Sequence, residues 1–186
     1  MGLPPDPDRA PLFPSIREEL QQRRPFRSRR EELFIALLRS AAVVRRPVSK
    51  VVEEHHVSLA QYNVLRILRG AGAEGLPTLA IRERMIEEAA GITRLIDKLE
   101  AAGFVHRDRR HATDRRQVVC RITKEGMALL ASMDPVVETA TNDVRALLED
   151  ERIVMLLALL DEVRAGTHQI VTAPPGTAAG TAGTTP

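Results

Sequence analysis

The sequence predicts a mainly α-helical protein with one small β-hairpin, and three observations predict it. Aromatic residues make up 3% of the chain and Trp is absent, which points to aliphatic packing between helices rather than a β-sandwich. Apolar residues recur at helical spacing along most of the chain. Between Phe104 and Ile122 that period changes to two. With 186 residues and 44% hydrophobic content, the chain can bury one domain's core and carry extensions.

The elements follow in order. Residues 1–28 hold six prolines (Pro4, Pro5, Pro7, Pro11, Pro14 and Pro25) and are expected as a flexible arm, with room for a short helix around Ile16–Arg24. Phe34, Leu37, Leu38, Ala41, Val44, Val48, Val51 and Val52 mark one face of a long first helix, which Pro47 is expected to kink or interrupt. Val64, Leu65, Ile67 and Leu68 form a second helix closed by Gly70 and Gly72. Thr78 is placed to cap a short third helix, Leu79–Arg84. A fourth helix is expected from about Glu88 to Ala102. Its Ile92, Leu95, Ile96 and Leu99 repeat at i, i+3, i+4 and i+7, and Gly103 then Phe104 form its stop. Val118, Cys120 and Ile122 alternate as a strand whose partner is Phe104–Arg109. Thr123 caps a further helix, in which Asp134-Pro135 is a potential break. The final helix, about Glu151–Ile170, carries the apolar run Ile153–Leu160, expected to be buried. The tail 172–186, rich in Thr, Ala, Gly and Pro, is expected to be disordered.

Composition excludes several classes. A single cysteine rules out an internal disulfide and a cysteine-based zinc cluster, and it suits a reducing cytoplasm. The N-terminus lacks the apolar core of a signal peptide, and the longest apolar run is far shorter than the roughly 20 residues that span a bilayer. A cytoplasmic protein with no membrane partner is therefore expected. There is no glycine-rich phosphate loop, no H-E-x-x-H and no nucleophile elbow, so no catalytic residue, metal ligand or cofactor is assigned.

Net charge is only +2, so any nucleic-acid function must rest on where the charge sits. Three short helices followed by a basic hairpin is the order of a winged helix-turn-helix. With the apolar stripe of the fourth helix facing inward, Ala90, Thr93, Arg94, Asp97 and Lys98 lie on its other side or flanks, where a helix in a major groove meets base edges. Residues 105–121 carry Arg107, Arg109, Arg110, Arg115, Arg116 and Arg121 against Asp108 and Asp114, six positive against two negative, a local +4. A thin basic loop of this kind suits the minor groove.

At these residues a family resemblance emerges. LAQYNVLRIL, GITRLIDKLEAAGFVHR and DRRQVVCRITKEGMALL, between Leu59 and Leu130, resemble the MarR family of winged-helix regulators in order and spacing. The resemblance implies a winged helix-turn-helix core at 59–123, flanked by dimerisation helices at 29–56 and 124–171, within one domain spanning 29–171. It implies a homodimer on double-stranded DNA, usually repressing at a pseudo-palindromic operator, with a small phenolic or anionic effector. The DNA-contact candidates are Thr78, Ala90, Gly91, Thr93, Arg94, Lys98, Arg110, Arg115 and Arg116, with Asp114 orienting a wing arginine. One departure is plain: family members commonly carry Ser or Thr at the entry to the recognition helix, where this chain has Glu87, Glu88, Ala89 and Ala90.

Three other readings stand beside this one. Cys120 would make a thiol sensor if exposed, but its place on the apolar face of a strand predicts burial. His55 and His56 with Glu53 and Glu54 could line a metal or ligand site, or simply be a polar helix end. Tyr62 is expected to pack at the second helix. A winged helix used only for protein contacts is the third reading, and the basic hairpin argues against it.

Overall fold

A computed structural model describes residues 13–87, 91–108, 118–145 and 148–172. Its elements are α1 (Ile16–Glu19), α2 (Arg29–Glu54), α3 (Leu59–Ala71), a 3₁₀ turn at Gly72–Glu74, β1 (Leu76–Pro77), α4 (Thr78–Glu83), α5 (Ile92–Ala101), β2 (Val105–Asp108), β3 (Val119–Ile122), α6 (Lys124–Arg145) and α7 (Asp150–Thr172). The protein is mainly α-helical with a small antiparallel sheet, as expected. The sheet has three strands, in the order β1-β3-β2, and β1 is the strand the sequence reading missed.

Local chemistry sets the helix ends. Ser28 Oγ accepts the Glu31 N–H at 3.2 Å to start α2. Ser58 and Gln61 form a reciprocal capping box on α3, at 3.2 and 2.9 Å. Thr123 Oγ1 accepts the Gly126 N–H at 3.0 Å and donates to the Gly103 carbonyl at 2.7 Å, so one hydroxyl caps α6 and ties it to the end of α5. The stop of α5 is a Schellman turn. Phe104 N–H reaches the Leu99 carbonyl and Gly103 N–H the Glu100 carbonyl, both at 2.9 Å, with Gly103 at φ 78°. The same turn ends α2, where His56 takes the left-handed position at φ 61° and Val57 N–H reaches the Val52 carbonyl at 3.3 Å. His55 and His56 are therefore the stop of a helix. Among the described residues no group of three or more His, Cys, Asp or Glu is placed to hold a metal ion.

Several expectations change. Pro47 lies inside a continuous α2 and Pro135 inside a continuous α6. An interior proline costs roughly 3 kcal/mol. Full burial of an aliphatic side chain returns about 1.5–3 kcal/mol, and Val51 and Val52 beyond Pro47, like Leu130 and Met133 before Pro135, are buried. Tertiary packing overrides the local break. Thr78 is the first residue of α4 and not its cap; Pro77 occupies the cap position and α4 has no side-chain cap. α5 begins at Ile92, and the expected start at Glu88 falls outside the described residues. The predicted final helix exists as α7, but its apolar run is not buried: Val154, Met155, Leu156, Leu157 and Leu159 are exposed in the single chain.

The core lies where α3, α4, α5, β3 and the start of α6 meet. Leu65, Leu68, Ile81, Ile96, Leu99, Cys120, Leu130 and Met133 are fully buried there, and Val52 enters from α2. Residues 1–141 and 142–186 form two compact units. Among the described residues no helix is long and apolar enough to cross a membrane.

Gly126 sets how closely α6 approaches the sheet. A Cβ there would meet the Phe104 carbonyl oxygen at 2.4 Å and Ile122 Cγ1 at 2.8 Å. Gly70, within α3, has open space around the same atom. Gly126→Ala should therefore lower unfolding stability by about 1–3 kcal/mol through overpacking. Gly70→Ala should raise it by about 0.4–1 kcal/mol. Chemical denaturation of the two variants checks this, and equal effects would contradict it.

Candidate nucleic-acid interface

The amphipathicity of α5 decides which side chains it offers. Ile92, Ile96 and Leu99 turn inward, which leaves Thr93, Arg94, Asp97 and Lys98 exposed on one face. Arg94 and Lys98 form no ion pair with another described residue, whereas Asp97 does. Arg107, on β2, reaches back across α5. Its guanidinium donates to Asp97 Oδ1 at 2.5 Å, Glu100 Oε2 at 3.2 Å and the Thr93 carbonyl at 3.2 Å, while its backbone N–H donates to Glu100 Oε1 at 3.0 Å. Burial disfavours the charged guanidinium, but the bond to Asp97 and the charges of Asp97 and Glu100 outweigh it, so its pKa lies above the ordinary arginine value. The pairing matters for charge as well. It neutralises Asp97, the one acid on a face otherwise fit to meet phosphate.

This corrects the charge count of the hairpin. Arg107 and Arg121 are structural cations, since Arg121 donates to Asp108 Oδ2 and to the Ala73 carbonyl, both at 2.9 Å. The sequence count took Arg107 as free because its partners Asp97 and Glu100 lie outside the segment, and it balanced Asp108 only in number without seeing its pairing to Arg121. In sequence, residues 109–116 carry four arginines against Asp114, a net +3. Of the candidate contacts, Ala90, Arg110, Asp114, Arg115 and Arg116 lie outside the described residues. Gly91 stands at the N-terminal cap of α5 and brings no side-chain cap. The Thr78 hydroxyl is half-buried and lies 3.8 Å from Cys120 Sγ, turned toward the sheet.

Cys120 is fully buried, and burial pushes its thiol pKa up, against smaller opposing effects from Thr78 and Arg107. A thiol kept protonated and covered is a poor nucleophile. Tyr62 is buried too, with the Arg66 guanidinium 5.8 Å from its ring centroid, and burial raises its pKa.

The sequence reading missed one positioning residue, and the partner of one residue it named. Asn63 on α3 is a buried polar side chain whose Oδ1 accepts the Ile86 N–H at 2.9 Å, pinning the turn between α4 and α5. An amide next to inward-facing Tyr62, Val64 and Leu65 was the available signal, since such a group must find a partner. Glu87, at the entry to α5, is ion-paired with Arg45 of α2. Its charge is thus matched within the chain.

Helices α3, α4 and α5 followed by the β2–β3 pair define a winged helix-turn-helix protein. Residues 57–118 match the model of the MarR family. A helix-turn-helix transcriptional regulator of Mycobacterium leprae is 33% identical over 141 residues, covering 70% of this chain and 92% of that protein. The homoprotocatechuate degradative operon repressor of Escherichia coli is 26% identical, with 71% and 87% covered. Among solved structures, a MarR transcription factor from Planctomyces limnophilus is 31% identical at TM-score 0.55, with 74% and 98% covered. The S. aureus MepR–DNA complex shares the fold at TM-score 0.63 and 17% identity, with 70% and 96% covered. The chain belongs to the MarR family; it is a transcriptional regulator, not an enzyme.

The Asn63 contact makes a prediction. Asn63→Leu removes the acceptor at nearly constant volume and should speed amide hydrogen exchange at Ile86. DNA affinity should fall about tenfold, the worth of one lost hydrogen bond at roughly 1.4 kcal/mol. Asn63→Asp keeps an acceptor and should keep the protection. Unchanged exchange at Ile86 in Asn63→Leu would contradict the assignment.

Proposed function

We propose that this protein is a homodimeric repressor. It binds a pseudo-palindromic operator through α5 and the β2–β3 wing, and releases it on binding a small phenolic or anionic effector. The observation that carries the proposal is the exposed face of α5, where Thr93, Arg94 and Lys98 stand clear while Arg107 absorbs the charge of Asp97. A rigid helix with a basic, hydrogen-bonding face fits the major groove, with Arg94 and Lys98 as base or phosphate contacts. Arg110, Arg115 and Arg116 at the wing tip serve the minor groove, oriented by Asp114. Gly91 and Ala90 allow the backbone at the start of α5 to approach the DNA. Thr78 belongs to the same surface only if its hydroxyl turns away from Cys120.

Dimerisation is supported by the apolar faces the single chain leaves open. On α2 these include Leu33, Phe34 and Leu38, and on α7 Val154, Met155 and Leu157. Rows of exposed large apolar side chains along a helix are the kind of surface that association covers. On this reading 29–56 and 124–171 are the dimerisation helices around the core 59–123. Repression and the effector class are carried over from the E. coli relative, whose name is that of a repressor for the degradation of homoprotocatechuate, a phenolic acid.

Selection of bound fragments from genomic DNA, followed by footprinting, tests this. The expected site is an inverted repeat with half-site centres about one helical turn, roughly 10 bp, apart, occupied by two protomers. Arg94→Ala should weaken operator binding by about tenfold or more, matching the roughly 1–3 kcal/mol of a base contact. Arg115→Ala and Arg116→Ala should lose most over A·T-rich flanks. A monomer by light scattering, or affinities unchanged in these variants, would overturn the proposal.

A further inference from the structure

The densest positive charge among the described residues lies away from the winged helix. Arg23, Arg24, Arg27, Arg29 and Arg30 place five guanidinium groups in eight residues, all exposed. Without them the chain holds 22 basic against 25 acidic residues, a net of −3 instead of +2. The positive excess of the whole molecule therefore depends on this tract. Glu31 and Glu32 follow it and reduce its own net charge to +3. Arg29 pairs with Glu32 at 3.0 Å, while Arg23, Arg24, Arg27 and Arg30 make no ion pair with another described residue.

The tract is also held in shape. The Arg17 guanidinium donates to the Gln22 and Arg23 carbonyls, both at 3.3 Å. Glu31 Oε2 accepts the Arg27 N–H at 2.6 Å, Ser28 caps α2, and Arg39 binds Glu19 at 2.7 Å to tie α1 onto α2. Four unpaired cations thus sit on a fixed backbone, with less ordering entropy left to lose on binding. Planar guanidinium groups suit phosphate oxygens. The tract lies one helix away from the reading head: from Arg30 to Val51, where α2 enters the core, is about 32 Å at 1.5 Å per residue.

We propose that Arg23, Arg24, Arg27 and Arg30 form a second, sequence-independent binding surface for the DNA phosphate backbone, separate from α5 and the wing. It would let the protein hold a second duplex segment while the winged helix reads its operator. This goes beyond the function proposed above.

The test compares wild type with a quadruple variant (Arg23→Gln, Arg24→Gln, Arg27→Gln and Arg30→Gln) and with its all-lysine counterpart. The probe is a random-sequence 30-bp duplex, titrated across a salt series, and pairs of differently labelled duplexes report bridging. The slope of log K against log salt should be shallower in the glutamine variant by about 3 to 4, at roughly 0.9 per phosphate contact. Bridging should be lost in that variant and kept in the lysine one. Thermal melts of all three proteins should coincide, because every substituted side chain is exposed. An unchanged slope and unchanged bridging would overturn the proposal. So would a change confined to protomer dissociation in sedimentation, which would mean that the tract pairs with acidic protein surface. An Arg94→Ala, Lys98→Ala double variant run in parallel separates the two claims. If it keeps full operator affinity the winged-helix reading fails, while the slope change of the glutamine variant is still read on random DNA.

Discussion

The Arg107 guanidinium joins α5 to the base of the β2–β3 hairpin. It extends from β2 to Asp97, Glu100 and the Thr93 carbonyl of α5, and only 18% of its side chain is exposed. A largely covered cation with three oxygen partners does not swing freely, so the angle between helix and hairpin base is set by charge-assisted hydrogen bonds as well as by packing. Below it, Thr123 links the end of α5 to the start of α6, and Gly126 lets α6 press against Phe104. Beside it, Asn63 holds the turn that leads into α5. These contacts form one frame, and the exposed Thr93, Arg94 and Lys98 are what that frame displays.

A second constraint runs along α2. Its C-terminal third is core, with Val51 and Val52 buried under the winged helix, while Leu33, Phe34 and Leu38 further up stand open. One continuous helix therefore serves two environments, and Pro47 lies between them without ending it. The Arg45–Glu87 pair on the same helix reaches the entry of α5. α7 likewise leaves Val154, Met155 and Leu157 exposed in the single chain.

The features legible in the sequence were those set by near neighbours. Thr123, Gly103 and the inward stripe of α5 act within a few residues of themselves, and their patterns were read directly. The alternation around Cys120 likewise announced a strand and a buried thiol. What was misread involved distant partners. Arg107 looked like free wing charge because Asp97 and Glu100 lie outside the hairpin. Pro47 and Pro135 looked like breaks because the packing that overrides them comes from other helices. β1 is two residues long, too short for any periodicity; its only trace is Gly75, at φ 68°, where a Cβ would meet the Cys120 carbonyl oxygen at 2.3 Å. The tip arginines and Ala90, the most informative residues in sequence, lie outside the described residues, so their placement rests on pattern and family.

The central claim is that Arg107 is a strut and not a phosphate contact. The dependence of DNA affinity on salt, measured for wild type and Arg107→Gln, tests it most directly. A strut predicts weaker binding at every salt concentration with the slope of log K against log salt unchanged, since the variant loses no phosphate contact and therefore no counterion release. A slope shallower by about one in the variant would mean that Arg107 meets the backbone itself, and would contradict the account.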